Sequence, residues 1–221
     1  RLNALKYAVK KYEILRNQTN LREISIGFNK IGDSIISQGN PKEALAYYVK
    51  ALGLVEELHE SQKNQTSLKD VSISYKKIGD VLHALGEEEK AQTYYERCLK
   101  GMEELYESQK NQTSLRDVSL IYANMGTVLQ AQKKEEEAQN YYEKSLSGMK
   151  ELHKMQKSIR SLQELANCYN NMGGILWARN LLDEALLFYR KGLECREELH
   201  EQQNNDITLR GISISYSYVG D

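Results

Sequence analysis

The sequence predicts an all-α fold: an α-solenoid of antiparallel helix pairs with no β-sheet. Three observations predict it. Gly32, Gly79, Gly126, Gly173 and Gly220 fall 47 residues apart; Phe28, Tyr75, Tyr122, Tyr169 and Tyr216 keep the same step, as do Ala44, Ala91, Ala138 and Ala185. A fixed period of roughly 20–50 residues marks an array in which each unit buries its apolar face only against its neighbours. Within a period the apolar residues recur at helical spacing, without strand-like alternation, and Pro41 is the only proline in the chain.

The elements follow in order from one unit. Asn64-Gln65-Thr66, like the same triplet at Asn17 and Asn111, reads as a polar turn between helices. Ser67-x-x-Asp70 then resembles a capping box that opens a first helix, A, and the same slots hold Asn20/Glu23, Ser114/Asp117 and Ser161/Glu164. Leu68, Val71, Tyr75, Ile78 and Leu82 line its apolar face. Gly86, like Gly39 one unit earlier, supplies a stop that tolerates positive φ; Lys133 and Asn180 replace it later. Helix B opens at Asn40-Pro41-Lys42-Glu43, with Asn40 as N-cap, Pro41 at N1 and Glu43 closing a second box. Ala91, Tyr94, Tyr95, Cys98, Leu99, Met102 and Leu105 line helix B, which runs to about Lys110. A mid-helix glycine costs about 1 kcal/mol relative to alanine. Its recurrence in every helix A therefore implies a compensating close approach of helix B.

These boundaries give one solenoid over 1–221: a leading half-unit at 1–16, full pairs at about 20–63, 67–110, 114–157 and 161–204, and a trailing partial helix at 208–221. The chain starts and stops out of phase and lacks polar capping helices, so it is expected to be a fragment of a longer protein or to pair at an end with another molecule.

Charge is balanced, 30 basic against 31 acidic residues. That leaves no basic surplus for nucleic-acid binding. No apolar run approaches a membrane span, and the N-terminus lacks a secretory h-region. Cys98, Cys168 and Cys195 have no close pairing and read as reduced packing residues of a cytoplasmic protein. No HExxH, phosphate loop, GxSxG or CxxC motif occurs, which points to a non-enzyme with no metal and no cofactor. His59, His153 and His200 share one position near the end of helix B, too far apart for a shared metal.

Tyr75-x-x-Ile78-Gly79-x-x-Leu82 followed by Gly86, Ala91, Tyr95 and Cys98 resembles the tetratricopeptide repeat signature. The pattern recurs around Gly32, Gly126 and Gly173. The resemblance implies a right-handed superhelix that binds proteins or peptides in a concave groove lined by the A helices. Two departures stand out. The period exceeds the usual 34 residues, and the proline that closes helix B is replaced by Glu56, Glu103, Lys150 and Glu197. In this the chain is similar to long-helix variants such as those of kinesin light chains and of bacterial regulatory proteins whose repeat arms carry an effector domain.

Carried onto this sequence, the groove positions are Asn29, Asp33, Lys76, Asp80, His83, Asn124, Thr127, Gln130, Asn170, Asn171, Trp177 and Tyr218. They form a polar, mildly acidic face expected to take an extended or helical protein segment that carries basic residues; a clamp for a C-terminal carboxylate is not expected. Asp33 and Asp80 are either ligand contacts or solvated helix positions. Trp177 is either an interface anchor or fills space left by Gly174. The expected function is a non-catalytic interaction scaffold. The alternatives are a regulatory arm of a larger effector, such as a protease, and an end-to-end self-assembling module.

Overall fold

The computed structural model describes Tyr7 and residues 18–219. The expected half-unit at 1–16 lies outside the described residues except for Tyr7, and so do Gly220 and Asp221. Two compact units divide the chain at residues 109/110. The first holds α1 (Gln18–Ile36), α2 (Pro41–Gln62), α3 (Gln65–Ala84) and α4 (Glu88–Gln109). The second holds α5 (Gln112–Ala131), α6 (Glu135–Gln156), α7 (Ile159–Ala178), α8 (Leu182–Gln203) and α9 (Asp206–Val219). The odd-numbered helices are A helices and the even-numbered are B helices. No strand occurs among the described residues.

Helix A opens three residues before the expected Ser-x-x-Asp box. Asn64 is the N-cap of α3: its side chain accepts from the Ser67 N–H at 2.9 Å, while the Ser67 hydroxyl lies 3.3 Å from the Asn64 N–H. Asn111/Ser114 and Ser158/Ser161 repeat this reciprocal pair on α5 and α7. Ser67 is therefore the N3 member of the box, and the triplets at Asn64 and Asn111 start helices instead of forming separate turns. A short asparagine side chain satisfies the orphan amides from the β-region at least as well as serine. At α2 the expectation also fails in part. Asn40 is the N-cap with Pro41 at N1, but its side chain makes no capping hydrogen bond, so no Asn40/Glu43 box forms.

The A-to-B turns share one conformation despite different residues. Gly39 (φ 81°), Gly86 (φ 74°), Lys133 (φ 61°) and Asn180 (φ 60°) all sit in the left-handed region. In each of the last three turns the next amide reaches back to close the helix: Glu87 to Leu82, Lys134 to Leu129 and Leu181 to Leu176, all at 2.9 Å. The lysine and asparagine keep the turn at a modest backbone cost.

The mid-helix glycine is explained by one ring. A Cβ added at Gly32 would fall 2.5 Å from the Tyr48 ring, one at Gly79 2.8 Å from Tyr95, one at Gly126 2.6 Å from Tyr142 and one at Gly173 2.6 Å from Tyr189. Each tyrosine is buried on the B helix of the same pair, one turn after a fully buried alanine: Ala44, Ala91, Ala138 or Ala185. Beside this contact a second aromatic pair bridges the helices, Phe28–Tyr47, Tyr75–Tyr94, Tyr122–Tyr141 and Tyr169–Phe188, with centroids 6.2–6.3 Å apart. Cys98 and Cys168 are buried, and all three cysteines remain thiols. Burial pushes the Cys168 and Cys195 thiols up to about 11, far from nucleophilic.

Gly126→Ala is expected to destabilise the protein by about 1–3 kcal/mol through overpacking against Tyr142, although alanine is the better helix former. Gly53, on the exposed side of α2 with nothing near its missing Cβ, is the control: Gly53→Ala should stabilise by up to about 1 kcal/mol. Urea melts of both variants decide the matter, and a stabilised Gly126→Ala would show that the ring leaves room.

Candidate functional site

In the first unit α1 carries Asn29 and Asp33, and α3 carries Lys76, Asp80 and His83. The structure brings the two aspartates into internal bonds. The Tyr48 hydroxyl donates to Asp33 Oδ1 at 2.7 Å, and Lys77 Nζ lies 2.5 Å from the same oxygen and 5.2 Å from the Tyr48 ring centroid. The Tyr95 hydroxyl donates to Asp80 Oδ1 at 2.8 Å while Lys76 Nζ holds Oδ2 at 2.6 Å. These are the tyrosines that cover the glycines, so each aspartate fastens the ring that lets helices A and B approach. Burial and the adjacent carboxylate raise both hydroxyl pKa values well above the ordinary tyrosine range. His83 Nδ1 lies 2.8 Å from Glu88 Oε2 across the turn. Half-buried Asn29 differs: its amide oxygen is enclosed and has no hydrogen-bond partner.

In the second unit the acceptor changes and the ring stays. Tyr142 Oη lies 2.9 Å from Gln130 Oε1 and 3.2 Å from Thr127 Oγ1, so two of the expected site residues take over the role of the aspartate. The fourth pair has Gly174 at this position, 3.8 Å from Tyr189 Oη measured from an added Cβ. With its carboxamide oxygen turned toward Arg196, the orientation that satisfies both groups, Asn170 accepts from both terminal nitrogens at 2.7 and 2.9 Å. Asn124 and Asn171 are half-buried, and Trp177 is 59% exposed, so its ring does not fill the space beside Gly174. Tyr218 belongs to α9, but its side chain lies outside the described residues.

Sequence reasoning missed the bonds that join successive pairs. Arg22 Nε meets Asp70 at 2.7 Å between α1 and α3, and Arg116 grips Glu164 through Nε (2.8 and 2.9 Å) and a terminal nitrogen between α5 and α7. The position of the missing helix-B proline has a task of its own. Glu56 accepts from the Tyr75 hydroxyl at 2.7 Å and Glu197 from Tyr216 at 3.1 Å, while Lys150 instead stands over the Tyr169 ring at 5.5 Å. His59, His153 and His200 each place Nδ1 2.8–2.9 Å from the N3 hydroxyl of the following helix, Ser67, Ser161 or Thr208. The recurring 15-residue step from Asp33 to Tyr48 and from Asp80 to Tyr95 was the available signal. No trio of metal-ligating side chains gathers among the described residues, and no helix among them is long and apolar enough to cross a membrane.

Repeated helix pairs locked by a glycine–tyrosine contact, with polar A faces, define a helical-repeat scaffold of the protein-interaction class. The tetratricopeptide repeat model matches residues 23–104, 70–151 and 117–198 in overlapping copies. The chain belongs to the tetratricopeptide repeat family. Among solved structures, BtubC (BKLC) from P. vanneervenii is similar over 99% of this chain and 81% of its own, with a TM-score of 0.69 and 20% identity. RapI in its apo form is similar over 99% and 75%, with a TM-score of 0.69 and 15% identity, and MamA over 90% of each chain, with a TM-score of 0.56 and 18% identity. At these identities the likeness is one of fold. A search of curated proteins finds no sequence match.

The Tyr75–Glu56 bond carries a pH signature. Burial first, then the Glu56 carboxylate, raise the Tyr75 hydroxyl from 10.0 to about 12. A group whose folded pKa lies above its unfolded value contributes stability that is whole below the unfolded pKa and lost as pH rises through the folded one. The urea midpoint of the wild type should therefore fall between pH 10 and 12, and Tyr75→Phe should show a shallower fall. Identical slopes would remove Tyr75 from the account.

Proposed function

We propose that the chain is a non-catalytic cytoplasmic scaffold that holds a protein or peptide segment, one bearing basic residues, against the A-helix faces of its units. The carrying observation is the half-buried carboxamides on those faces, beginning with Asn29 on α1. A carboxamide both donates to and accepts from a peptide backbone. Asn124 and Asn171 supply the same donor-and-acceptor chemistry in the second unit. Asp33 and Asp80 keep side-chain exposures of 51% and 41% beside their lysines, so a basic partner side chain approaches them from the open side only. Family membership supports a binding role without catalysis, and the reduced thiols suit the cytoplasm. The 47-residue step runs unbroken from Gly79 to Gly126, which supports treating the chain as a single repeat array.

The test avoids the aspartates, because replacing them would also release the tyrosine rings. Asn29→Ala/Asn124→Ala/Asn171→Ala should lose captured partners at least tenfold relative to wild type in quantitative mass spectrometry of lysate captures. A variant on an exposed B-helix position, Lys100→Glu, should retain them. Equal capture by all three proteins would refute binding at the A faces.

A further inference from the structure

The repeat supplies its own control for unusual positions. At the A-to-B tip, successive pairs carry Ile36, His83, Gln130 and then Trp177. The first turn position after the left-handed residue runs Asn40, Glu87, Lys134 and Leu181, and the next runs Pro41, Glu88, Glu135 and Leu182. One turn into helix B, Ala46, Thr93 and Asn140 give way to Leu187. The fourth pair alone makes all four positions large and apolar. None of these side chains is sequestered: Trp177 is 59% exposed, Leu181 37%, Leu182 47% and Leu187 52%. One hydrogen-bonded turn gathers the first three, with the Asn180 amide on the Trp177 carbonyl and the Leu181 amide on the Leu176 carbonyl.

Charge is as particular as apolarity. Arg179, within the same turn, turns to α6, where it bonds Gln139 at the edge of the α6–α8 groove and lies 3.9 Å from Glu136. Asp183 and Glu184, exposed in the first turn of α8, have no basic partner among the described residues. A groove of about 360 Å³ between α6 and α8 is lined by Leu176 and Phe188 together with Glu143, Glu184 and Lys150. The exposed apolar side chains amount to a few hundred Å², short of the ~800 Å² each partner of a stable dimer buries. That area suits a short segment and not a second copy of the chain.

We infer that the tip of the fourth helix pair is a docking site for a peptide segment that sets a large apolar side chain next to a lysine or arginine. The apolar side chain packs on Trp177, Leu181 and Leu182, and the cation lies between the Trp177 face and the Asp183 and Glu184 carboxylates. This rests on the scaffold reading but locates an anchor away from the carboxamide rows of the A faces.

Trp177 is the only tryptophan in the chain, so its emission reports on the tip directly. Three capped peptides of equal length serve as probes: one alternating leucine and lysine, one leucine and glutamate, one serine and lysine. The leucine–lysine peptide should give a saturable blue shift, and the other two should bind at least tenfold more weakly. Leu181→Lys/Leu182→Glu, which restores the residues of the third pair, should weaken leucine–lysine binding at least tenfold with an unchanged thermal melt. The A-face triple variant should bind that peptide as wild type does. Undiminished binding by the tip variant, or an equal response to the leucine–glutamate peptide, overturns the inference even if the A-face captures succeed. A concentration-dependent doubling of mass that the tip variant abolishes also overturns it, because the occupant would then be a second copy. Loss of A-face capture selectivity with the tip response intact would overturn the A-face reading and leave the tip standing.

Discussion

The contact on which the structure depends is that between a mid-helix glycine and a tyrosine ring. Nothing larger than hydrogen fits at Gly32, Gly79, Gly126 or Gly173, because an added Cβ would lie 2.5–2.8 Å from ring carbons of the paired helix. The glycine loses about 1 kcal/mol of helix propensity and gains a buried aromatic side chain, which is worth more. The ring in turn needs an acceptor for its hydroxyl, since a buried phenol without one would forfeit much of that gain. Asp33 and Asp80 meet this need with a carboxylate, and the Thr127/Gln130 pair meets it with neutral oxygens. Selection of the A-face residues at this position is thus constrained from the inside before any partner is considered.

A second layer of constraint explains how helix B can be long. A proline at the position of Glu56, Glu103, Lys150 or Glu197 would end the helix. The residues found there instead bond or stack with the first aromatic of the following helix A, as at Tyr75, Tyr169 and Tyr216. The extra turns then bring His59, His153 and His200 to the capping serine or threonine of that helix. Each B helix ends on a left-handed residue, Lys63, Lys110, Lys157 or Asn204, and the next cap follows at once. The 47-residue period is therefore a joint with its own hydrogen-bonding chemistry, not a 34-residue repeat with slack inserted.

Much of this was legible in the sequence because periodicity isolates what each position must do. Five in-phase glycines and aromatics gave the helix pairs, the close approach and the family. Gly39 and Gly86 marked the turns, while Lys133 and Asn180, which adopt the same φ, did not advertise it. The helix starts were misplaced by three residues because Ser67 satisfies the same hydroxyl pattern as an N-cap while serving as N3, and only backbone geometry separates the two. The candidate site was less legible. A residue list chosen by face cannot tell that Asp33 and Asp80 are already bonded to Tyr48 and Tyr95, because each hydroxyl lies 15 residues away on another helix and only the recurrence of that step points to the pair.

These internal commitments separate the parts of the surface that hold the fold from the parts left for recognition. Where the tyrosine acceptor is an aspartate, the A face gains a carboxylate whose charge is shared with a neighbouring lysine, Lys77 or Lys76. Where it is Thr127 and Gln130, the face is neutral. In the fourth pair the acceptor position is Gly174, and the tip residues change from polar to apolar together. Substitution there is no longer constrained by the aspartate-type lock, and that is where the chain places its single tryptophan. A repeat array acquires specificity by letting one unit depart from the others at positions the packing does not fix, and the fourth pair departs at exposed positions of its tip.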